Sequence, residues 1–136
     1  MNKNELIGFV NANPVCYLAT TEGHVPHVRA VSVYKADESG LFFQISTIKG
    51  MYNELTHNPR VELCFNGSGQ QVRVSGTAEF IEDQGLKEDV LEARPFLKRL
   101  VDAQGYGAIQ VFRVANPVAT VWTMATNFEP REFFAL

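Results

Sequence analysis

The chain has 136 residues, of which 46% are hydrophobic and 20% are charged; this composition is typical of an ordered globular protein, and we expect a single domain over residues 1–136. The formal net charge of −3 comes from charges scattered along the chain, which argues against a nucleic-acid partner. No segment resembles a signal peptide or approaches the roughly 20 apolar residues of a membrane span, so we expect a cytoplasmic protein without a membrane partner.

Hydrophobic periodicity and turn residues divide the chain into strands and short helices. Apolar residues at helical spacing predict helices at 4–12, after the loop at 46–49, at 83–92 and at 96–104, with Asp83 as an N-cap. Runs rich in β-branched and aromatic residues predict strands at 15–20, 25–34, 41–45, 60–65, 71–81, 108–114 and 118–124, the last two joined by a turn at Asn116-Pro117. Six or seven mostly antiparallel strands favour a small barrel, so the expected fold is mainly β with peripheral α-helices.

The sequence contains few residues of the kinds that bind metals or form disulfides. Cys16 and Cys64 lie in alternating apolar runs, where reduced thiols behave as small buried hydrophobes, so neither a disulfide nor thiol chemistry is expected. His24 and His27 are three residues apart across a turn, but no third ligand stands at a supporting spacing, so no metal site is expected. No catalytic triad, phosphate-binding P-loop or dinucleotide fingerprint is present, and the sequence nominates no catalytic residue.

The segment Ser46-Thr47-Ile48-Lys49-Gly50 joins a predicted strand to a predicted helix. Free backbone N–H groups at a helix N-terminus attract anions, and two hydroxyls and an ammonium group complement the charge and the acceptor oxygens of a phosphate. This segment is therefore a candidate phosphate site. The simpler alternative is that Ser46 or Thr47 only caps the helix with its hydroxyl.

Polar side chains also interrupt two apolar strand faces. Arg29 shares a face with Val31 and Val33, where its charge requires a bound anion, a nearby carboxylate or an opening to solvent at the barrel rim. Gln71 and Arg73 share a face of a later strand, where they either hydrogen-bond the polar edge of a ligand ring or face solvent. The residues alone leave these alternatives open.

Read in order, the stretches at 28–31, 41–49, 58–63 and 71–78 resemble the pyridoxamine 5′-phosphate oxidase-like family of flavin-binding split barrels. The resemblance runs from about residue 6 to residue 81, and more loosely to residue 124. It implies a six-stranded split barrel that forms a homodimer through a large interface. It also implies one flavin mononucleotide (FMN) in each of two clefts between the subunits, with a deazaflavin as the less favoured cofactor.

The resemblance implies particular cofactor contacts as well. Arg29 matches the family arginine that contacts the cofactor phosphate, and Gln71 matches a glutamine that reaches the cofactor. Ser46, Thr47 and Lys49 fall in the loop that completes the phosphate site. The remaining implied contacts, along the ring edge and on the adjoining strand, are Ala30, Val31, Ser32, Gln44 and Ile45.

Two departures from the family pattern bear on the reaction. The oxidases carry a second phosphate motif of the Ser-Arg-Lys type where this chain has Lys49-Gly50-Met51, and they end in an arginine–histidine motif that is missing here. The chain is therefore expected not to oxidise pyridoxamine phosphate and looks more like the general-stress and nitroimidazole-reductase-like branches. We expect an FMN-dependent oxidoreductase acting on a small molecule, with a nicotinamide nucleotide as candidate reductant. The alternatives are a flavin carrier or sensor without turnover, and a cofactor-free barrel that acts in protein association.

Trp122 is the single tryptophan of the chain and lies on the last predicted strand with Val121 and Met124. Alternation places Trp122 and Met124 on one face, where the indole would belong to the dimer surface and pack beside the partner's flavin ring. The alternative is that Trp122 fills the core of its own barrel.

Overall fold

The helices and strands of the computed structural model, which describes all 136 residues, follow one another in this order. They are α1 (Lys3–Ala12), β1 (Val15–Glu22), β2 (Val25–Ser32), β3 (Lys35–Asp37), β4 (Gly40–Ser46), α2 (Gly50–His57), β5 (Arg60–Gly67), β6 (Gln70–Ile81), α3 (Gln84–Ala93), α4 (Lys98–Gln104), β7 (Ile109–Thr123) and β8 (Phe134–Ala135). Short 3₁₀ turns at Pro95–Leu97 and Tyr106–Ala108 precede α4 and β7. No helix combines the length and the apolar character that crossing a membrane requires.

The eight strands form one antiparallel sheet in the order β2-β1-β5-β6-β7-β4-β3, and β8 pairs with β7. The inward side chains of this sheet make one hydrophobic core, in which the rings of Phe43 and Phe112 stack with centroids 5.2 Å apart. The strands β2 and β3 are the two edge strands of the sheet. The expected mainly β fold, a split barrel with peripheral helices, is confirmed.

The strand β7 is one continuous strand, so the prediction of two strands separated by a turn at Asn116-Pro117 was wrong. Asn116 does adopt a positive φ of 50°, and the pairing of β7 with β6 shifts between Ser75 and Thr77. Gly76 lies at this shift, where a Cβ atom would come within 2.6 Å of Val114 Cγ1. The turn signal marks a β-bulge, which bends the strand without ending its ladder.

The helices cover the openings and one outer side of the barrel. Helix α1 starts with a capping box between Asn2 and Glu5 and buries Leu6 and Val10 in the core. Asp83 caps α3 as predicted, accepting a hydrogen bond of 2.8 Å from the Leu86 amide. The helices α3 and α4 lie over the outer surface of β4 and β7, where a second, smaller core contains Phe42, Val90, Leu97, Ile109 and Val111.

The outward surface of β2, β1 and β5 is left without a covering helix. We call it the open face and define it by Val15, Tyr17, Val28, Ala30 and Cys64, whose strand pairings place them on one side of the sheet. Val28 is 69% exposed, Val15 57% and Tyr17 54%. Exposed apolar side chains on one side of a sheet make this face a candidate interaction surface.

The two cysteines lie on adjacent strands but face opposite sides of the sheet. Cys16 pairs with Phe65 and points into the core, whereas Cys64 pairs with Tyr17 on the open face. Both thiols are free. Burial raises the pKa of Cys16 to about 12, so its thiol stays protonated and unreactive at neutral pH.

Candidate functional site

The N-terminus of α2 carries no side-chain cap. Its N-cap residue is Lys49, whose backbone is extended and whose side chain makes no capping hydrogen bond. The Ser46 hydroxyl instead accepts a hydrogen bond of 3.3 Å from the Ile48 amide within the loop. The alternative that Ser46 or Thr47 caps this helix was therefore wrong. The amides of Gly50 and Met51 have no hydrogen-bond acceptor in the protein, which leaves two donors free for an anion.

Arg29 points to the inner side of β2 and meets acceptors from its own chain. Its Nη2 donates to Glu54 Oε1 at 2.6 Å, and its Nη1 donates to Thr20 Oγ1 at 2.7 Å and to the Leu18 carbonyl at 3.4 Å. The sequence left open whether Arg29 binds an anion, pairs with a carboxylate or faces solvent. The structure shows that it pairs with a carboxylate. A guanidinium group has five N–H donors, and the Nε–H and one Nη2 hydrogen of Arg29 have no acceptor in the protein.

Glu54 brings this guanidinium to the first turn of α2. Its Oε2 lies only 3.3 Å from the position that a Cβ atom on Gly50 would occupy. Its Oε1 accepts a hydrogen bond of 2.5 Å from the Thr20 hydroxyl in addition to the bond from Arg29. The hydrogen bond from Thr20 and then the contacts with Arg29 hold the pKa of the Glu54 carboxyl below its usual range. The carboxylate is therefore ionised at neutral pH, and Arg29 lies beside the uncapped helix end.

Thr20 and Glu54 are the site residues that sequence reasoning missed. Thr20 follows Cys16 and Leu18 at the inward positions of β1, so a polar residue on a buried face was the available signal. Glu54 is only 9% exposed and stands next to buried Leu55 on α2. Buried polar side chains of this kind need partners, and each satisfies the other here.

The residues expected along the ring edge lie on the end strand β2 and on β4. The side chains of Ala30 and Ser32 face outward and are exposed, while Val31 packs against the core. Because β2 pairs only with β1, one backbone edge of the strand has no strand partner. On β4, Gln44 is half-buried, whereas the side chain of Ile45 is in the core, so only the backbone of Ile45 remains for a ligand.

Gln71 and Trp122 lie together on the outer side of the sheet. They are directly opposite each other on β6 and β7, and the indole Nε1 donates to Asn127 Oδ1 at 2.8 Å. The alternative that Trp122 fills the barrel core was therefore wrong. With Arg73, both residues line a cleft of about 960 Å³ between α1, the strand ends and the C-terminal segment.

Within one chain, Arg29 lies far from Gln71 and Trp122, although all three are expected to contact the cofactor. Two strands, β1 and β5, lie between Arg29 on β2 and Gln71 on β6, a separation of about 14 Å for three strand spacings. Arg29 also faces the inner side of the sheet, while Gln71 and Trp122 face the outer side. Through Glu54, the structure brings Arg29 to the first turn of α2, which directly follows the loop of Ser46 and Lys49, but it does not bring Gln71 and Trp122 to this turn.

Several proteins of known structure share this fold over nearly the whole length of the chain. A NimC/NimA family protein from Clostridium acetobutylicum is 28% identical, with a TM-score of 0.79 and coverage of 100% of this chain and 94% of that chain. General stress protein 26 from Bacillus anthracis is 19% identical, with a TM-score of 0.73 and 98% of both chains covered. A heme binding protein from Mycobacterium smegmatis is 18% identical, with a TM-score of 0.71, and the alignment covers 99% of this chain and 58% of that chain. A search of curated proteins finds no significant match.

The sequence profile described as pyridoxamine 5′-phosphate oxidase matches residues 3–123. This match extends from the start of α1 to the end of β7 and agrees with the fold of the structural neighbours. The chain belongs to the pyridoxamine 5′-phosphate oxidase family.

Proposed function

We propose that the protein binds FMN and acts as an oxidoreductase on a small molecule. The observation that carries this proposal is the uncapped N-terminus of α2 beside Arg29. The free amides of Gly50 and Met51 and the unengaged donors of Arg29 supply hydrogen bonds and positive charge for a phosphate group. Lys49, exposed in the same loop, adds an ammonium group that is free to move toward the anion.

In this proposal the chain's own residues bind and orient the cofactor. Arg29, Lys49 and the amides of α2 hold the phosphate, and the free backbone edge of β2 at Ala30–Ser32 lies along the ring. A bound flavin supplies the hydride or electron transfer itself. No acid or base from the protein is required for that transfer, in keeping with the lack of a catalytic motif.

We also propose that the working unit is a homodimer. The open face is apolar and exposed, and two-fold pairing is the commonest way for identical chains to bury such a surface. The placement of Gln71 and Trp122 on the outer side of the sheet supports the same idea. A partner copy can offer these side chains to a cofactor whose phosphate is held by Arg29 of the first chain.

The reaction is proposed to be a reduction or oxidation other than that of pyridoxamine phosphate, with a nicotinamide nucleotide as the reductant. The stretch Lys49-Gly50-Met51, which stands in place of a second phosphate motif of the Ser-Arg-Lys type, supports this choice. The cleft beside Trp122 offers a planar indole and the polar side chains of Gln71 and Arg73 to a small molecule.

The first test is the absorbance spectrum of the purified protein and the identity of the extracted cofactor. We expect the visible bands of a flavin and, by mass spectrometry, a phosphate monoester. A protein that stays colourless after incubation with FMN contradicts the proposal, and a Soret band indicates haem instead. Bleaching by a nicotinamide nucleotide, with recovery on addition of an acceptor, supports an oxidoreductase, whereas a bound flavin that no nucleotide reduces supports a carrier or sensor.

A further inference from the structure

We propose that Glu54 is a positioning residue that fixes Arg29 for the cofactor phosphate and thereby makes the protein prefer FMN over riboflavin. This inference rests on the proposed function. It assigns a positioning role to a buried carboxylate that the sequence did not single out. Glu54 itself is expected not to touch the cofactor and to act through the orientation of the guanidinium group.

The hydrogen bonds of Arg29 divide its five donors into two sets. Thr20 and the Leu18 carbonyl accept from Nη1, and Glu54 accepts from Nη2. Thr20 and Glu54 are themselves joined by the 2.5 Å bond between the Thr20 hydroxyl and Glu54 Oε1. These contacts hold the end of the guanidinium group. The Nε–H and the second hydrogen of Nη2 are adjacent donors that remain without an acceptor, and two parallel donors suit a phosphate.

The position of Glu54 places the free donors of Arg29 near the N-terminus of α2. Its Oε2 lies 3.3 Å from the position that a Cβ atom on Gly50, the first residue of α2, would occupy, so the guanidinium group that Glu54 holds is kept near this turn. Thr20 and Glu54 are only 2% and 9% exposed, so their side chains have little freedom to move. An arginine held in this way loses less conformational entropy when it binds an anion.

The opposite role, in which Glu54 competes with the phosphate for Arg29, is less consistent with the geometry. Glu54 Oε1 already accepts from both Thr20 and Arg29, so its charge is largely compensated within the protein. The free donors of Arg29 also remain available without breaking either contact. Competition would require the phosphate to displace a hydrogen-bonded and buried carboxylate.

The test compares the affinities of the apoprotein for FMN and for riboflavin, which lacks the phosphate. We expect Glu54→Ala to lower the ratio of FMN to riboflavin affinity about fivefold to tenfold, because Arg29 is no longer pre-organised. The affinity for riboflavin should stay the same, which also verifies that the variant is folded. Glu54→Gln keeps an oxygen acceptor for Thr20 and Arg29 and should restore most of the ratio.

Two further variants make the test specific. Glu79→Ala removes a carboxylate from another arginine pair, with Arg113 at 3.1 Å on the outer surface, and should leave the ratio unchanged. In an Arg29→Ala background, Glu54→Ala should lower the ratio no further. If Arg29→Ala lowers the ratio but Glu54→Ala leaves it unchanged or raises it, the proposed role of Glu54 is wrong, whereas the phosphate site stands. If Arg29→Ala does not change the ratio, the phosphate site fails and this inference fails with it.

Discussion

At the scale of single residues, the site depends on how one arginine is held. An arginine on an inward strand face is costly unless it is paired, and Arg29 finds acceptors in Thr20, Glu54 and the Leu18 carbonyl. Three of its donors are used in this way and two remain, so the side chain is both anchored and able to bind. Lys49 lacks such anchoring, and in the proposed site it would contribute a mobile charge at the loop.

We expect Arg29→Ala and Lys49→Ala each to weaken FMN binding by about tenfold to a hundredfold. Charge-assisted contacts with an anion are worth about 1.5 to 3 kcal/mol, which corresponds to this range. Quenching of flavin fluorescence on titration of the apoproteins measures the change. Arg99→Ala, at an exposed position of α4, is the control and should bind like the unaltered protein. Unaltered FMN affinity in both folded site variants would rule out the phosphate site.

The ionisation of Glu54 gives a second prediction at this scale. Thr20 and Arg29 lower the pKa of this carboxyl from its ordinary value of 4.5, so the ionised form stabilises the folded protein above that pH. The stabilisation is lost as the pH falls through the lower pKa of the folded state. Urea unfolding below about pH 4.5 should therefore show a weaker pH dependence for Glu54→Gln than for the unaltered protein. Glu92→Gln, at an exposed site on α3, should keep the original dependence.

The residue scale also shows how far the sequence could predict the site. Arg29 was identifiable because it interrupts an apolar alternation, and the loop of Ser46 and Lys49 because hydroxyls and a lysine precede a helix. The pairing of Thr20 with Glu54 was not identifiable, since 34 residues separate them and only the packing of α2 against β1 joins them. Local patterns reveal which side chain needs a partner, whereas the partner depends on tertiary structure.

At the scale of elements, the difference between local pattern and tertiary structure also explains why β7 was wrongly predicted as two strands. Asn116-Pro117 has the composition of a turn, and Asn116 adopts a positive φ, which asparagine tolerates better than most residues. The ladder continues because Gly76 on β6 leaves room for the bulge, a long-range condition that the turn residues do not encode. The short strands β3 and β8 were likewise not predicted, because two or three residues carry no periodicity and β8 pairs only after the chain returns to β7.

We expect Gly76→Ala to destabilise the protein by about 1 to 3 kcal/mol, because the new methyl group would overlap the backbone carbonyl of Ala115, 2.8 Å away, as well as Val114. Chemical denaturation measures the loss. Gly8→Ala, in α1, meets no atom within 4 Å and should instead raise the stability by about 0.5 to 1 kcal/mol, as usual in a helix interior. Equal effects of the two substitutions would show that the bulge does not require glycine.

At the scale of the whole molecule, the two sides of the sheet have different roles. The inner side forms the core and holds Arg29, while the outer side is covered by α3 and α4 over β4 and β7 and uncovered over β2, β1 and β5. Tyr17 and Val28 lie in this uncovered part and expose large apolar surfaces. In the proposed homodimer, a second copy of the chain would cover this part of the surface.

We expect light scattering at micromolar concentration to give twice the mass of one chain. Val28→Lys places a charge on the open face and should shift the protein toward monomers that retain less FMN. Val25→Lys is a matched control, because Val25 lies on the same strand and is 55% exposed but points to the other side of the sheet. A monomer that keeps its flavin fully bound would contradict both the dimer and the shared site.

The separation of Arg29 from Gln71 and Trp122 on opposite sides of one sheet has a thermodynamic consequence. If each cofactor contacts both chains, cofactor binding and subunit association are linked equilibria, and each must strengthen the other. Dilution should then release flavin. Because the proposed dimer holds two cofactors, saturating FMN should lower the dimer dissociation constant by the square of the factor by which dimerisation tightens FMN binding at one site. In a cell, the fraction of loaded protein would rise with its own concentration, so expression level and cofactor supply would together set how much active protein is present.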